Sequence, residues 1–417
     1  MVTDPVDEPF FRERLRGRAR GAKPSKARAR AFLQALIGLR YADVRRSPVP
    51  LVVVVGSKGK GTAAAYASAT LAAAGLRVGT VTSPGFRSHR ERIRVDGRSI
   101  TSAEFSRLAD AVDQTLQRCG DDLPDDGYLS PTGLFTMAGV LHFSDIACDA
   151  WVFEAGLGGS SDEVSLLSPD VVAVTRIFDE HLGILGCDVR EIAVDKLGVV
   201  TQRTKRVVTQ PGQAPAVMEV IAAVARKRAR VIDAQQLPAL PWPSGLGASN
   251  GQLGYVAGLE LLSGLGIAEP SYATTAELFR GIRLPGRLSA HRRRGSTWVL
   301  DCAINQVGVA AAIQWTSARY GRPDNVLISF PDGKSTVGVD SVLRGLPVTK
   351  VRARAAHLSY AKWGAGSPYL DTVRHEDLGP IVLAVGTVSF IAEVLNLLDA
   401  PVDQWWPARA ADRWRSW

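Results

Sequence analysis

The stretch Val52-Val53-Val54-Val55-Gly56-Ser57-Lys58-Gly59-Lys60-Gly61-Thr62 constrains this chain more than any other. Four β-branched apolar residues run into a glycine-rich turn, and the turn runs into the alanine-rich stretch Ala63 to Ala74. Strand, loop and helix in that order present backbone N–H groups and the positive end of a helix to an anion. A lysine in the turn neutralises the anion, and a hydroxyl at its end suits Mg²⁺. The segment therefore predicts a phosphate cradle and an α/β fold around it. Its spacing is compressed: two residues separate Gly56 from Gly59, and Gly61 stands between Lys60 and Thr62. The ordinary Walker pattern has four residues between its glycines and no such insertion.

At 417 residues the chain exceeds a comfortable single domain, and two domains are expected. The formal charge of +9 invites a nucleic-acid reading. Much of the excess lies early, where Arg12, Arg14, Arg16, Arg18, Arg20, Lys23, Lys26, Arg28 and Arg30 follow Asp4, Asp7 and Glu8. Evenly spread cations without interleaved aromatics read as a solvated helix face or a loose terminus, not a nucleic-acid surface. Cys119, Cys148, Cys187 and Cys302 have no paired spacing for zinc or a redox motif, as expected of a reduced, cytoplasmic protein. No apolar run is long enough to span a bilayer, and the first residues given lack the basic-then-apolar order expected of a secretory signal.

Strand-like runs recur at Arg77 to Thr82, Ala150 to Glu154, Val171 to Thr175 and Arg206 to Thr209. Helical patterns at Ala31 to Leu39, Ser102 to Leu116, Pro131 to Phe143 and Arg190 to Gln202 accompany them. Such alternation predicts a mostly parallel sheet covered on both faces. The Pro/Gly-rich stretch Leu237 to Gly251 reads as a loop leading into a helix over Gln252 to Leu262. After Leu284-Pro285-Gly286-Arg287 a smaller α/β alternation begins. Its strands are expected at Trp298 to Cys302, Asn325 to Phe330, Val348 to Ala355 and Ile381 to Val385, with helices at Val307 to Tyr320 and Ser389 to Leu398. The division is thus a basic arm over 1–30, a first domain over 31–285 and a second over 286–417. The tryptophan-rich tail Trp405 to Trp417 is expected to pack on the body of the protein or on a neighbour.

Several polar residues fall at or beyond strand ends, where open parallel sheets bind ligands. Ser83 follows one strand, and Glu154 ends another and runs into Gly156-Leu157-Gly158-Gly159. His181 lies past a third, and Lys196 sits on the helix that follows. Singly each has an ordinary structural explanation; together around one phosphate loop they suggest a site.

The order of motifs resembles the folylpolyglutamate synthase/dihydrofolate synthase family, a branch of the Mur ligases. That family's GTNGKGS loop corresponds to Gly56-Ser57-Lys58-Gly59-Lys60-Gly61-Thr62, and its TSPHL and ERI segments to Thr82–Phe86 and Glu91-Arg92-Ile93. EVGLGG corresponds to Glu154–Gly159, the DH and LG pairs to Glu180-His181 and Leu185-Gly186, and EKAG to Asp195–Gly198. PGR is present as Pro285-Gly286-Arg287, and LDGAHN as Leu300–Asn305. The likeness runs in unbroken order from roughly residue 30 to residue 398.

The resemblance implies a Mur-ligase-like P-loop ATPase domain with a mostly parallel sheet, and a smaller C-terminal Rossmann-like α/β domain. It implies an ADP-forming ligase that transfers the γ-phosphate of ATP to a carboxylate and lets an amine displace it. Its partners would be a small carboxylic acid and an amine, and the protein a monomer. Lys60, Glu154, His181 and Lys196 would be the catalytic groups. Gly56, Ser57, Lys58, Gly59, Lys60, Gly61, Thr62, Asn250, Arg287 and Asp301 would bind the nucleotide. Thr62, Ser83, Glu154 and His181 would serve Mg²⁺, and Lys196, carbamylated, a second ion.

Departures from the family cluster on the substrate side. The histidine of TSPHL is Gly85 here, and the arginine and asparagine of GLGGRLDATN are Ser160 and Ser165, while Asp162 remains. The acidic residue of TxFExxT is Gly133, beside Pro131 and Thr132. In the second domain Ile304 and Gln306 replace a histidine and a proline, and an alkyl chain offers none of an imidazole's hydrogen bonds. These changes direct the first expectation to a non-folate acid. The alternatives are a true folylpolyglutamate or dihydrofolate synthase, and a non-catalytic nucleotide-binding scaffold.

Overall fold

Val52 to Val55 carry no polar side chain on either face, so the strand they form needs apolar cover on both sides. The computed structural model, which describes residues 5–19, 21–38, 49–355 and 358–407, supplies it. Val53 and Val55 point into one core, with Phe153, Val172 and Phe135. Val52 and Val54 point into a second, with Ala64, Ala67 and Leu253. The strand is β1 (Leu51–Val55), the centre of a sheet completed by β2 (Val78–Val81), β3 (Ile93–Val95), β4 (Arg98–Ser99), β5 (Ala150–Glu154), β6 (Val171–Val174), β7 (Arg206–Thr209) and β8 (Ala229–Val231). Their order is β4-β3-β2-β5-β1-β6-β7-β8. All neighbours are parallel except β2–β3 and β3–β4, which form an antiparallel edge.

A second sheet contains β9 (Arg287–Arg293), β10 (Ser296–Asp301), β11 (Asn325–Ser329), β12 (Val348–Lys350) and β13 (Ile381–Gly386), in the order β12-β11-β13-β10-β9. Only β9 is antiparallel, and nothing in the spacing foretold it. Strand β12 stops earlier than the pattern to Ala355 suggested. Beyond Val351 the chain leaves the ladder, and Arg352 N–H donates instead to Pro368 O at 2.8 Å. The helix expected over Arg190 to Gln202 likewise ends at Leu197.

The early basic segment is a docked helix, Glu8–Ala19, in place of a loose terminus. Phe10 is fully buried, its ring 4.2 Å from Phe135 and 5.5 Å from Phe105, and Arg12 donates to Asp113 at 2.6 Å. The expectations for Arg20, Leu39 and the last ten residues of the tail lie outside the described residues. The rest of the tail returns to the first sheet. Trp405 N–H donates to Gly97 O at 2.9 Å, and Ser99 N–H to Asp403 O at 2.7 Å. Arg94, itself buried, lies 4.5 Å over the Trp405 ring and donates to Val402 O and Asp403 O. No described helix is long and apolar enough to cross a membrane.

Candidate functional site

The turn after β1 is shaped by glycine and held by its neighbours. Gly59 has φ +86°, in the left-handed region, and precedes the helix Lys60–Ala73 without a side-chain cap. The first N–H groups of that helix are thereby left for another acceptor, which is what an anion requires. Asn250 packs onto Gly59 so closely that a Cβ there would lie 2.2 Å from its Oδ1. Gln210 Nε2 donates to Asn250 Oδ1 at 2.8 Å, and Arg176 N–H donates to Gln210 Oε1 at 2.9 Å. Ser57 is tied to Phe178, donating to its carbonyl at 3.3 Å and accepting from its N–H at 3.2 Å. Lys60 Nζ donates to Gly56 O at 3.1 Å, folded back across the turn.

Glu154, at the end of β5, faces the same turn. Its Oε2 accepts Ser83 N–H at 3.0 Å and lies 3.4 Å from where a Cβ on Gly61 would sit. Burial raises its pKa, and Lys60, the Ser83 N–H, Arg287 and Arg92 work against that rise. Thr62, Ser83, Glu154 and Arg287 line one small cavity of about 60 Å³ between the two sheets, with Phe86 and Trp405 beyond them. Hydroxyls and a carboxylate are hard oxygen donors of the kind Mg²⁺ takes. No cluster of three His, Cys, Asp or Glu side chains stands ready to hold a metal among the described residues.

Arg287 brings the second sheet to this cavity, with Asp301 among its electrostatic neighbours. Asp301 Oδ2 accepts Leu288 N–H at 2.9 Å, and burial raises its pKa. Burial works against charge on Arg287, but Cys302, Asp301 and Glu154 outweigh it and hold its pKa above the ordinary arginine value. Lys196 is fully buried. Its Nζ donates to Leu157 O at 2.9 Å and Gly56 O at 3.1 Å and pairs with Glu180 at 3.0 Å. Desolvation lowers its pKa, Glu180 opposing and Lys60 adding to the fall. His181 stands at the exposed rim with φ +51°, its pKa lowered by desolvation and by Lys58, Lys196 and Lys334 against Glu180. Lys58 is also lowered, by desolvation first and then, against Glu180, by Lys60, Lys334 and Arg287. Lys334, on the turn after β11, thus belongs to the electrostatic surroundings of the cleft. Only its place beyond a strand end could have drawn attention to it.

Two substituted positions acquire physical reasons. A Cβ on Gly85 would meet Ser88 O at 2.3 Å, so this backbone leaves no room for a side chain there. The turn is drawn in by Glu91, whose carboxylate accepts N–H groups from Phe86, Arg87 and Ser88 at 3.2, 2.8 and 2.7 Å. A Cβ on Gly133 would meet the Glu163 side chain at 2.3 Å. A carboxyl group therefore occupies that place from a different point in the chain. Burial and the neighbouring Asp162 push the Glu163 pKa up to about 7. Ser160 Oγ donates to Asp195 Oδ1 at 2.6 Å and ties the loop after β5 to the helix Val189–Leu197, while Ser165 Oγ donates to Ser160 O at 3.4 Å within the loop. Ile304 is half-buried, and the adjacent Asn305 caps the helix that follows.

No family model matches the chain. A probable bifunctional folylpolyglutamate synthase/dihydropteroate synthase of Haloferax volcanii is 36% identical over 171 residues, 41% of this chain and 20% of that protein. A dihydrofolate synthase/folylpolyglutamate synthase of Mycobacterium tuberculosis is 28% identical over 334 residues, 70% of this chain and 65% of that protein. The chain thus spans less than two thirds of the length of each of these relatives. Among solved structures, Mycobacterium tuberculosis folylpolyglutamate synthase complexed with ADP superposes with a TM-score of 0.73 at 21% identity, covering 95% of this chain and all of that one. That likeness establishes a shared two-sheet fold.

Proposed function

We propose that this chain, which belongs to the folylpolyglutamate synthase family of the Mur ligase superfamily, is an ATP-dependent, ADP-forming ligase that joins a carboxylate to an amine. The observation that carries the reading is the juxtaposition of an uncapped helix start, Lys60 and Glu154 on the first sheet with Arg287 and Asp301 on the second. The amides of residues 57–62 and Lys60 hold the terminal phosphates, and Asn250 and Asp301 complete the nucleotide site. Thr62, Ser83 and Glu154 are the groups that would hold Mg²⁺, with His181 at the rim. The ion would supply charge neutralisation on the phosphates. Arg287 meets the charge that develops as the phosphoryl group moves to the acid, so the protein's contribution is positioning and electrostatics. The amine then displaces phosphate from the acyl phosphate and the amide forms. Lys196 donates to two carbonyls and pairs with Glu180; as a carbamate it would give up the Glu180 pair and offer oxygen ligands.

For the acid, a folate-type substrate is the better reading, ahead of the non-folate acid that the substituted motifs suggested. The named relatives favour it. The carboxyl group of Glu163 standing over Gly133 also removes one reason for doubting it. The test is ADP release by the purified protein with Mg-ATP, a folate and glutamate, with the product identified by mass spectrometry. Glutamylated folate establishes the reading. ADP release with other acid–amine pairs but not with folate sinks the folate assignment and keeps the ligase. Nucleotide binding without ADP release for any pair sinks both and leaves a scaffold.

A further inference from the structure

A cavity of about 520 Å³ lies at the carboxyl edge of the second sheet and shares no lining residue with the cleft beside the phosphate loop. Its place follows from the strand ends. Val351 N–H makes the last rung to Ile328 O at 2.9 Å, and Arg352 stands just beyond. Ser329, the last residue of β11, contacts Tyr360 OH at 2.9 Å, and Ala353 N–H donates to the same hydroxyl at 3.2 Å. Beyond the carboxyl ends of parallel strands is where open α/β sheets take ligands.

The lining is cationic and aromatic: Arg352, Arg354, Tyr360 and Tyr369, with Leu358 and Ala365 beside them. The guanidinium carbons of Arg352 and Arg354 lie 4.3 and 4.4 Å from the centre of the Tyr369 ring, which holds both groups in place. Their partners differ. Arg354 is satisfied, donating to both oxygens of Asp371 at 2.7 and 3.1 Å. The Arg352 side chain has no hydrogen-bond acceptor among the described residues; its Nε is buried, which leaves its two terminal NH2 groups as the donors within a ligand's reach. A guanidinium whose terminal donors meet no acceptor among the described residues, and whose plane is fixed by a ring, is a fork for an oxyanion. The volume exceeds what a bare ion needs and falls in the range of small-molecule sites.

We infer that this cavity is a second ligand site, for a small organic anion that presents a carboxylate or phosphate group to Arg352. The site has a physical link to the cleft. Its wall at residues 359–362 is latched to Asp332, which accepts Ser359 Oγ, Ala361 N–H and Lys362 N–H at 2.5, 2.9 and 2.9 Å. The same turn carries Lys334 toward Lys58 and His181. The inference does not depend on the ligase reading.

Isothermal titration of the full-length protein with citrate and, separately, with inorganic phosphate tests it and tells a carboxylate from a phosphate preference. Either probe should bind wild type and bind Arg352→Ala about tenfold or more weakly, the loss expected for a charge-assisted fork. Arg352→Lys, which keeps the charge and loses the fork, should fall between them and carries the test if the alanine variant unfolds. Loss in Lys60→Ala with Arg352→Ala unchanged would place the anion in the phosphate loop and overturn the inference. So would the absence of heat from both probes up to about 20 mM, beyond the millimolar range of weak sites.

Discussion

Two turns of this molecule use the same local grammar and end differently. After β1 the chain passes through Gly56–Gly59 into the helix Lys60–Ala73; after β10 it passes through Asp301–Asn305 into the helix Gln306–Tyr320. The second turn satisfies itself, Asn305 Oδ1 accepting Gly308 N–H at 2.9 Å. The first has no side-chain cap and keeps its helix amides unspent. Near it stand two carboxyl groups, Glu154 and Asp162, whose pKa values burial raises and Lys60 opposes. A helix start that caps itself adds stability, whereas one left open is ready for an anion. The first sheet therefore carries an unfinished site, and the second approaches it with Arg287 from a finished frame.

The comparison breaks most sharply at Lys60. Lys60→Ala should lower turnover by about 10³-fold, the scale for removing one preorganised group at developing charge, with unchanged thermal stability. Steady-state ADP release beside a melting curve reads both quantities, and a variant with near-normal turnover would detach this turn from the chemistry.

Glu163 tests whether the first site is held at a cost in stability. Its folded pKa of about 7 lies above the ordinary glutamate value of 4.5, so the folded state holds the proton more tightly. The resulting stabilisation is complete below pH 4.5 and is lost as pH rises toward 7. Across that window wild type should lose up to about 3 kcal/mol relative to Glu163→Gln, since each tenfold gain in proton affinity on folding is worth about 1.36 kcal/mol. Denaturant unfolding of the two proteins at pH 5 and pH 8 measures it. Equal differences at both values would show that Glu163 ionises freely.

Gly59→Ala has a comparable but more local effect. The left-handed backbone and the nearby Asn250 amide oppose a methyl group, and a small displacement of the phosphate turn should cost about 100-fold in nucleotide affinity. Nucleotide titration of the variant decides this, since unchanged affinity would mean the turn tolerates the shift. The smallest effect is expected on the self-capped side. Asn305→Ala should cost about 1 kcal/mol of stability, the usual value of an N-cap, and leave nucleotide affinity alone. A loss of affinity there would show that the Asn305 cap, and not only Asp301 before it, belongs to the site.

Much of this molecule could be read before folding was considered. Strand β1 with its glycine turn, the alternation of strands and helices, and the placing of Ser83 and Glu154 at strand ends all depend on dihedral preference and periodicity, which neighbours along the chain determine. Several things were beyond that reading because they join distant positions. Phe10 stacks on Phe105 and Phe135, so a segment that looked merely basic is anchored by an aromatic core. Trp405 reaches the cleft only because the tail returns to the edge of the first sheet. The substituted Gly133 read as a lost carboxylate, yet Glu163, thirty residues on, fills its place. By itself the sequence determined the cradle and its lysine, since a turn's backbone and its charge are local properties. Only the tertiary structure decided which buried carboxylates stand near it, which ring the Arg352 guanidinium lies against and where the second sheet meets the first. Those depend on packing across long separations, where one side chain's space and charge are defined by another's.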